Sequence, residues 1–363
     1  MIHRLATLTA AVLVAATPLL AADIYGLSPG KPMIKSAGPI AFGPDGVLFV
    51  GDPMGAAVFA IQTGDKSGDA ASASHNLDGV QEEVAKALHA AINEVTINDL
   101  AVNPQTGNVF ILATSGDKIS IVKIHGDTAQ NVSLDEVAFS KKELSDAPAA
   151  DAVDRRGRSL RSSTITDLAF VNGEVIVSGV RSGEAASGVR TMVFPFNKAD
   201  QGASLEIFHG NHGRKEDASP IQTFVPFVID GQPNLLAGFV CTPLVKFPVS
   251  AVSSSGRIEG TTVAELGNRN QPLDMFVYEK DGQRYLLMSN SARGIMKIST
   301  EDIERDNGIT ERVDGLAGQS YDRLDELNDD WKNVVQLDKL NDTHAVVLVN
   351  DGGQLNLRTL ELP

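Results

Sequence analysis

Three aspartates stand at matching points of three similar stretches: Ile97-Asn98-Asp99-Leu100, Ile165-Thr166-Asp167-Leu168 and Pro272-Leu273-Asp274-Met275. Carboxylates repeated at one place in a repeated unit come to similar radius and height about its axis. Asp99, Asp167 and Asp274 can therefore converge on one cation, and a hard ion such as Ca²⁺ suits an all-oxygen donor set. The competing reading is structural, with each Asp accepting hydrogen bonds from backbone N–H groups of a neighbouring turn. The other three units carry Pro39, Thr223 and an apolar residue at that point.

A second candidate is His209-Gly210-Asn211-His212-Gly213. Two imidazoles three positions apart on a glycine-rich loop can chelate a metal, or one can act as a general base. A plain turn with solvated histidines accounts for the same residues. Cys241, the only cysteine, is a candidate nucleophile if His209 or His212 lies beside it, and otherwise a small hydrophobe between Val240 and Leu244. These three are the catalytic candidates. The third cluster is basic: Arg155, Arg156, Arg158 and Arg161 in one short run, with Arg181 and Arg293 expected in loops of the same face. Guanidinium groups in such a set recognise carboxylate, sulfate or phosphate groups. They pair equally well with Asp151, Asp154 and the acidic connection 301–331, which holds eleven Asp/Glu against three Arg.

Several chemistries lack their residues. There is no CxxCH haem site, no GxSxG elbow, and no phosphate-binding Walker or GxGxxG loop. With one Trp and 5% aromatic residues, stacked platforms for sugars are poorly supplied. One cysteine allows no internal disulfide.

The elements that must position these groups are strands. Residues 97–124, INDLAVNPQTGNVFILATSGDKISIVKI, hold three short apolar runs divided by turn residues, the pattern of an antiparallel meander. Recast versions occupy 38–62, 164–196, 221–249, 272–299 and 333–362. Second strands marked at Val47, Val109, Val175, Leu235, Tyr285 and Ala345 lie 62, 66, 60, 50 and 60 residues apart, a near-regular repeat whose faces are buried against neighbouring copies. Weaker fourth runs follow at Gln130–Leu134, Ser204–Phe208, Thr261–Leu266 and Gly308–Val313. Turn residues (Pro44-Asp45-Gly46, Asn172-Gly173, Asp230-Gly231, Asp281-Gly282) separate first from second strands. Together these describe an all-β, six-bladed β-propeller. The loops from second to third strands, and from one blade to the next, gather on one face, where ligands commonly bind.

Unit one, with its Pro44-x-Gly46-x-Leu48-Phe49-Val50-Gly51-Asp52 run, resembles the blades of NHL and SMP-30/YVTN-type propellers. HGNHG and GTTVAELGNRNQPLDM resemble segments of secreted bacterial proteins to which no function is assigned. The blade resemblance implies the fold. It also offers an alternative to ligand or partner binding: a metal-dependent hydrolase of the lactonase kind, its channel Ca²⁺ held by Asp99, Asp167 and Asp274 and a histidine as base.

Between units one and two, Val80, Val84, Leu88, Ile92 and Val95 fall on one helical face. This marks one inserted amphipathic helix over 80–95, packed on the rim or capping one mouth. Residues 1–22, with Arg4, an apolar run from Leu5 to Leu20 and small Ala21-Ala22, read as a secretory signal peptide. The expected product is a single propeller domain over 23–363, periplasmic or secreted, with no membrane contact after cleavage. Losing Arg4 moves the net charge from −15 to −16, which repels nucleic acid and anionic lipid. The expectation is thus an exported propeller that binds a small-molecule or protein ligand, anionic in one version, on its loop face.

Overall fold

The computed structural model describes residues 25–363 except 184, 185, 199, 242, 255 and 306, so the signal peptide expected over 1–22 lies outside the described residues. Six sheets form around one axis. The six marked residues all lie in the second strand of their sheet, at Val47–Asp52, Val109–Ser115, Glu174–Val180, Gln232–Gly238, Gln283–Asn290 and His344–Asp351. These strands are covered on both faces by neighbouring sheets. They therefore read as continuous apolar runs rather than alternating ones, and every residue of Val47–Asp52 is buried.

The first strands, Ile40–Phe42, Val95–Val102, Asp167–Val171, Thr223–Ile229, Pro272–Lys280 and Val334–Lys339, surround the axis. Asp45-Gly46, Asn172-Gly173, Asp230-Gly231 and Asp281-Gly282 all have positive φ at both residues. Asp and Asn tolerate that region and Gly favours it, so these pairs reverse the chain tightly between first and second strands.

Six apolar clusters lie between neighbouring blades and give the order of the ring. Leu48 and Phe59 of blade one meet Phe110 and Leu112 of blade two, while Phe49 on the other side of blade one meets Leu168 and Val175 of blade three. Val346 and Leu357 of blade six pack with Val109 and Ile111 of blade two. The remaining clusters join three to four, four to five and five to six. Numbered by chain order, the blades thus run two, one, three, four, five, six around the ring.

The fourth strands show how the chain achieves this. After three strands of blade one, Asn76–Leu77 crosses to pair with Gln354–Glu361 and completes blade six. Blade two follows with its own fourth strand, Thr128–Val132. The chain then returns through Val137–Glu143, which pairs with Ala57–Gln62 and completes blade one. Gln201–His209 and Thr261–Leu266 are fourth strands of blades three and four, as the spacing suggests. The run Gly308–Val313 is not a strand; Tyr321–Arg323 takes that place in blade five.

The inserted helix is shorter than its periodicity suggests, spanning Val80–Leu88. His89 takes a left-handed conformation (φ 54°), and its N–H and that of Ala90 turn back to the carbonyls of Lys86 and Ala85. Ile92 then lies in a 3-10 turn and Val95 opens a strand. Val80, Val84 and Ala85 are buried over the seam of blades six and two.

Candidate functional site

First strands begin and second strands end on the same face, as the pairs Asp167↔Ser178, Thr223↔Gly238 and Pro272↔Asn290 show. An axial cavity of about 1090 Å³ is lined by first-strand residues of all six blades, and Asp99, Asp167 and Asp274 all reach it. A fourth carboxylate, Asp338 of blade six, joins them. The apolar residue expected there is replaced by Leu337-Asp338, which mirrors Leu273-Asp274. Polar Gln336 and Lys339 stand where the other three stretches have Ile or Pro before and Leu or Met after, which hides the match.

Each aspartate bridges two blades. Asp99 Oδ2 accepts the N–H of Ile40 at 2.8 Å, Asp167 Oδ2 that of Phe224 at 2.7 Å, Asp274 Oδ2 that of Leu337 at 3.3 Å and Asp338 Oδ2 that of Val102 at 2.7 Å. Every Oδ1 accepts the N–H of the following residue, at 2.7–2.9 Å. These bonds all point the same way around the ring.

The aspartates are half-buried. Each opens onto the cavity on one side and is crowded by protein on the others, which disfavours its charge. Burial pushes Asp99 up to about 8, with the charges of Asp167 and Asp338 adding to it and the Ile40 N–H opposing. Burial raises Asp167 to about 7 and Asp338 to about 6 against their backbone donors. Asp274 is raised well above the usual carboxylate range by burial and then by the charges of Asp99, Asp338 and Asp167.

The arginines are held separately. Arg155 and Arg156 are exposed at the tip of a small hairpin whose turn is fixed by Asp154 Oδ1, an acceptor for the N–H groups of Arg156 and Arg158. Arg158 Nε donates to Asp154 at 2.7 Å. Arg161 donates to the carbonyls of Met54 and Pro148. Arg181 shares Asp146 with the buried Arg190, and burial of Asp146 is outweighed by those two cations, which lower its pKa. Arg293 turns the corner between second and third strands of blade five.

His209 ends the fourth strand of blade three and His212 follows in the turn; neither lines the axial cavity. Their carboxylate partners, Glu216 and Glu265, are absent from the sequence-derived set. Cys241 occupies the corner after the second strand of blade four with φ 63°, its N–H donating to the Asn270 carbonyl at 2.8 Å. No hydrogen bond links it to either histidine among the described residues.

No protein-family model matches the sequence, and no curated protein matches it. Among solved structures, the chain is similar to the PQQ-bound aldose sugar dehydrogenase of Streptomyces coelicolor: 13% identity over 91% of this chain and 96% of that one, TM-score 0.36. A putative oxidoreductase (glucose dehydrogenase) of Thermus thermophilus shares 15% identity over 92% and 100%, TM-score 0.36. The Swd1 β-propeller domain of Myceliophteria thermophila shares 9% over 89% and 84%, TM-score 0.36. At these identities and TM-scores the likenesses carry nothing about ligand or reaction. The fold itself is a six-bladed β-propeller.

Proposed function

We propose that this is an exported ligand-binding propeller, and that its axial cavity receives a ligand from the loop face through a hard divalent cation of the Ca²⁺ kind. One observation carries the reading: four carboxylates from four blades face a single cavity, and their burial and mutual repulsion oppose ionisation. A dication removes that repulsion without protons. The donor set fits, since Asp99, Asp167, Asp274 and Asp338 offer only oxygen; Asp99 Oδ1 already accepts both the Leu100 N–H and Gln336 Nε2, so Asp99 would bind through Oδ2. Exposed Met54, Val153, Val240, Leu273 and Leu327 on the loop face support a contact surface there for a small molecule or protein. Arg155 and Arg156 support an anionic group on that ligand. The leader supports export to the periplasm or medium.

The test is calorimetric titration with Ca²⁺ at neutral pH. We expect one site with a dissociation constant of about 10⁻⁴–10⁻³ M, the range of extracellular modules, lost in Asp167→Asn and in Asp274→Asn. Folded wild-type protein that takes up no Ca²⁺ would refute the proposal.

A second reading, hydrolysis of the SMP-30/lactonase kind, draws support from the blade resemblance and from the fourth carboxylate, which can serve as base beside an ion held by the other three. It requires an aspartate as base, because His209, His212 and Cys241 lie away from the cavity lining. Ca²⁺-dependent turnover of a lactone or ester, abolished in Asp167→Asn, distinguishes it from binding alone.

A further inference from the structure

Outside the axial cavity, blade three carries a cluster of another kind. Its fourth strand, Gln201–His209, turns through residues 210–213 into Arg214–Glu216, with His209 paired to Arg214. Gly213, at φ 65°, closes the turn by donating its N–H to the His209 carbonyl at 2.8 Å. The turn lays the two imidazoles together, ring centres 3.8 Å apart. Both Nδ1 atoms reach one carboxylate: His209 to Glu216 Oε2 at 3.0 Å and His212 to Oε1 at 2.8 Å. One donor atom from each of the three lies within 4.8 Å of the others.

Behind this group one polar atom is unsatisfied. His209 is 2% exposed, and its buried Nε2 has no hydrogen-bond partner among the described residues. It faces Glu265 Oε2 at 3.9 Å, beyond hydrogen-bond length. Glu265 is itself buried and held by the Gly210 N–H and by Asn211 Nδ2 at 2.7 Å.

We propose that His209, His212 and Glu216 bind a divalent transition metal of the zinc kind, with Glu265 as the outer partner of His209. Without a metal, a neutral His209 that donates from Nδ1 to Glu216 leaves Nε2 a bare acceptor facing a carboxylate. A metal on Nδ1 moves the proton to Nε2, which can then close the gap and donate to Glu265, the arrangement by which carboxylates orient metal-bound imidazoles. Donors on a tetrahedral ion at about 2.0–2.1 Å stand about 3.3 Å apart; the two imidazole–carboxylate contacts fall a few tenths of an ångström short of that, and the three donor atoms lie within 4.8 Å of one another. Two imidazoles and one carboxylate select Zn²⁺ or Co²⁺ over Ca²⁺, so this site is chemically distinct from the axial one. The His212 side chain is 44% exposed, which leaves the fourth position open to water or an incoming group.

Untagged purified protein titrated with Co²⁺ should develop the visible absorption of a tetrahedral N/O site at one equivalent, and Zn²⁺ should displace it. His212→Ala, on an exposed side chain whose loss spares the fold, should weaken binding by at least about 100-fold, and Glu265→Gln by about 10-fold. Asp167→Asn should leave this spectrum unchanged, so the axial proposal can fail while this one stands. Absence of a Co²⁺ spectrum, or binding by His212→Ala equal to wild type, would overturn it. So would a spectrum lost in Asp167→Asn but kept in His212→Ala.

Discussion

Asp274 accepts the Leu337 N–H of the next blade through one oxygen and its own Met275 N–H through the other, and Asp99, Asp167 and Asp338 do the same at their seams. Their structural role is satisfied by either protonation state that leaves two acceptors, whereas their charge is opposed by burial and by one another. The sign follows from proton counting. With folded pKa values above the unfolded one, the native state binds more protons between about pH 4 and about pH 8, so stability falls as pH rises through that window. Asp146 and Glu216, whose pKa values are lowered, stay ionised in both states above about pH 5 and do not oppose the trend there, while His75, its pKa lowered by burial, binds a proton more readily when unfolded and offsets part of the fall. Each carboxylate is open to solvent on its cavity side, and the screening this allows holds the sum to about 2 kcal/mol, or a fall of about 3 °C in Tm from pH 5 to pH 8. Asp338→Asn should flatten the dependence, and Ca²⁺ should restore the loss at pH 8. A metal-free wild type more stable at pH 8 than at pH 5 contradicts this account of the axial charges.

At the scale of elements, the helix Val80–Leu88 ends because His89 adopts the left-handed region, where a Cβ is strained and glycine is not. His89 is exposed and its ring has no hydrogen bond among the described residues. His89→Gly should therefore raise stability by about 0.5–1 kcal/mol, read as a higher urea midpoint at unchanged slope. A lower midpoint would show that the ring has a role the contacts do not reveal. The same helix marks where sequence and structure part. Its apolar face continues in register to Val95, so periodicity alone carries it past His89; only the capping geometry stops it. Second strands and the Asn-Gly and Asp-Gly turns are legible because both are local signals. The motif around Asp99, Asp167 and Asp274 is legible because it repeats residue by residue. Asp338 is not, because Gln336 and Lys339 replace the apolar flanks of the motif, and Glu265 is not, because it meets Gly210 across a sequence separation of 55 residues.

The ring order two, one, three, four, five, six leaves no local trace, because periodicity counts blades without saying which become neighbours. Its physical consequence is a single closure. Blade six joins three C-terminal strands to Asn76–Leu77, with Leu77 paired to Leu357 and Asn76 to Arg358, and Arg358 also pairs with Asp78. Contacts nearly 300 residues apart form at the largest cost in chain entropy, so this seam is the step that cooperative folding reaches late. Leu77 is buried with Val80, Val84 and Leu357, and the helix covers the same seam. A charge there should open the ring at one place rather than weaken it evenly. Leu77→Asp should cost about 3–5 kcal/mol and speed amide exchange in Gln354–Glu361 and Val80–Leu88, while the second strands of blades three and four, Glu174–Val180 and Gln232–Gly238, keep their protection. If exchange rises equally in all six second strands, closure is not a separable seam, and the propeller opens only as a whole.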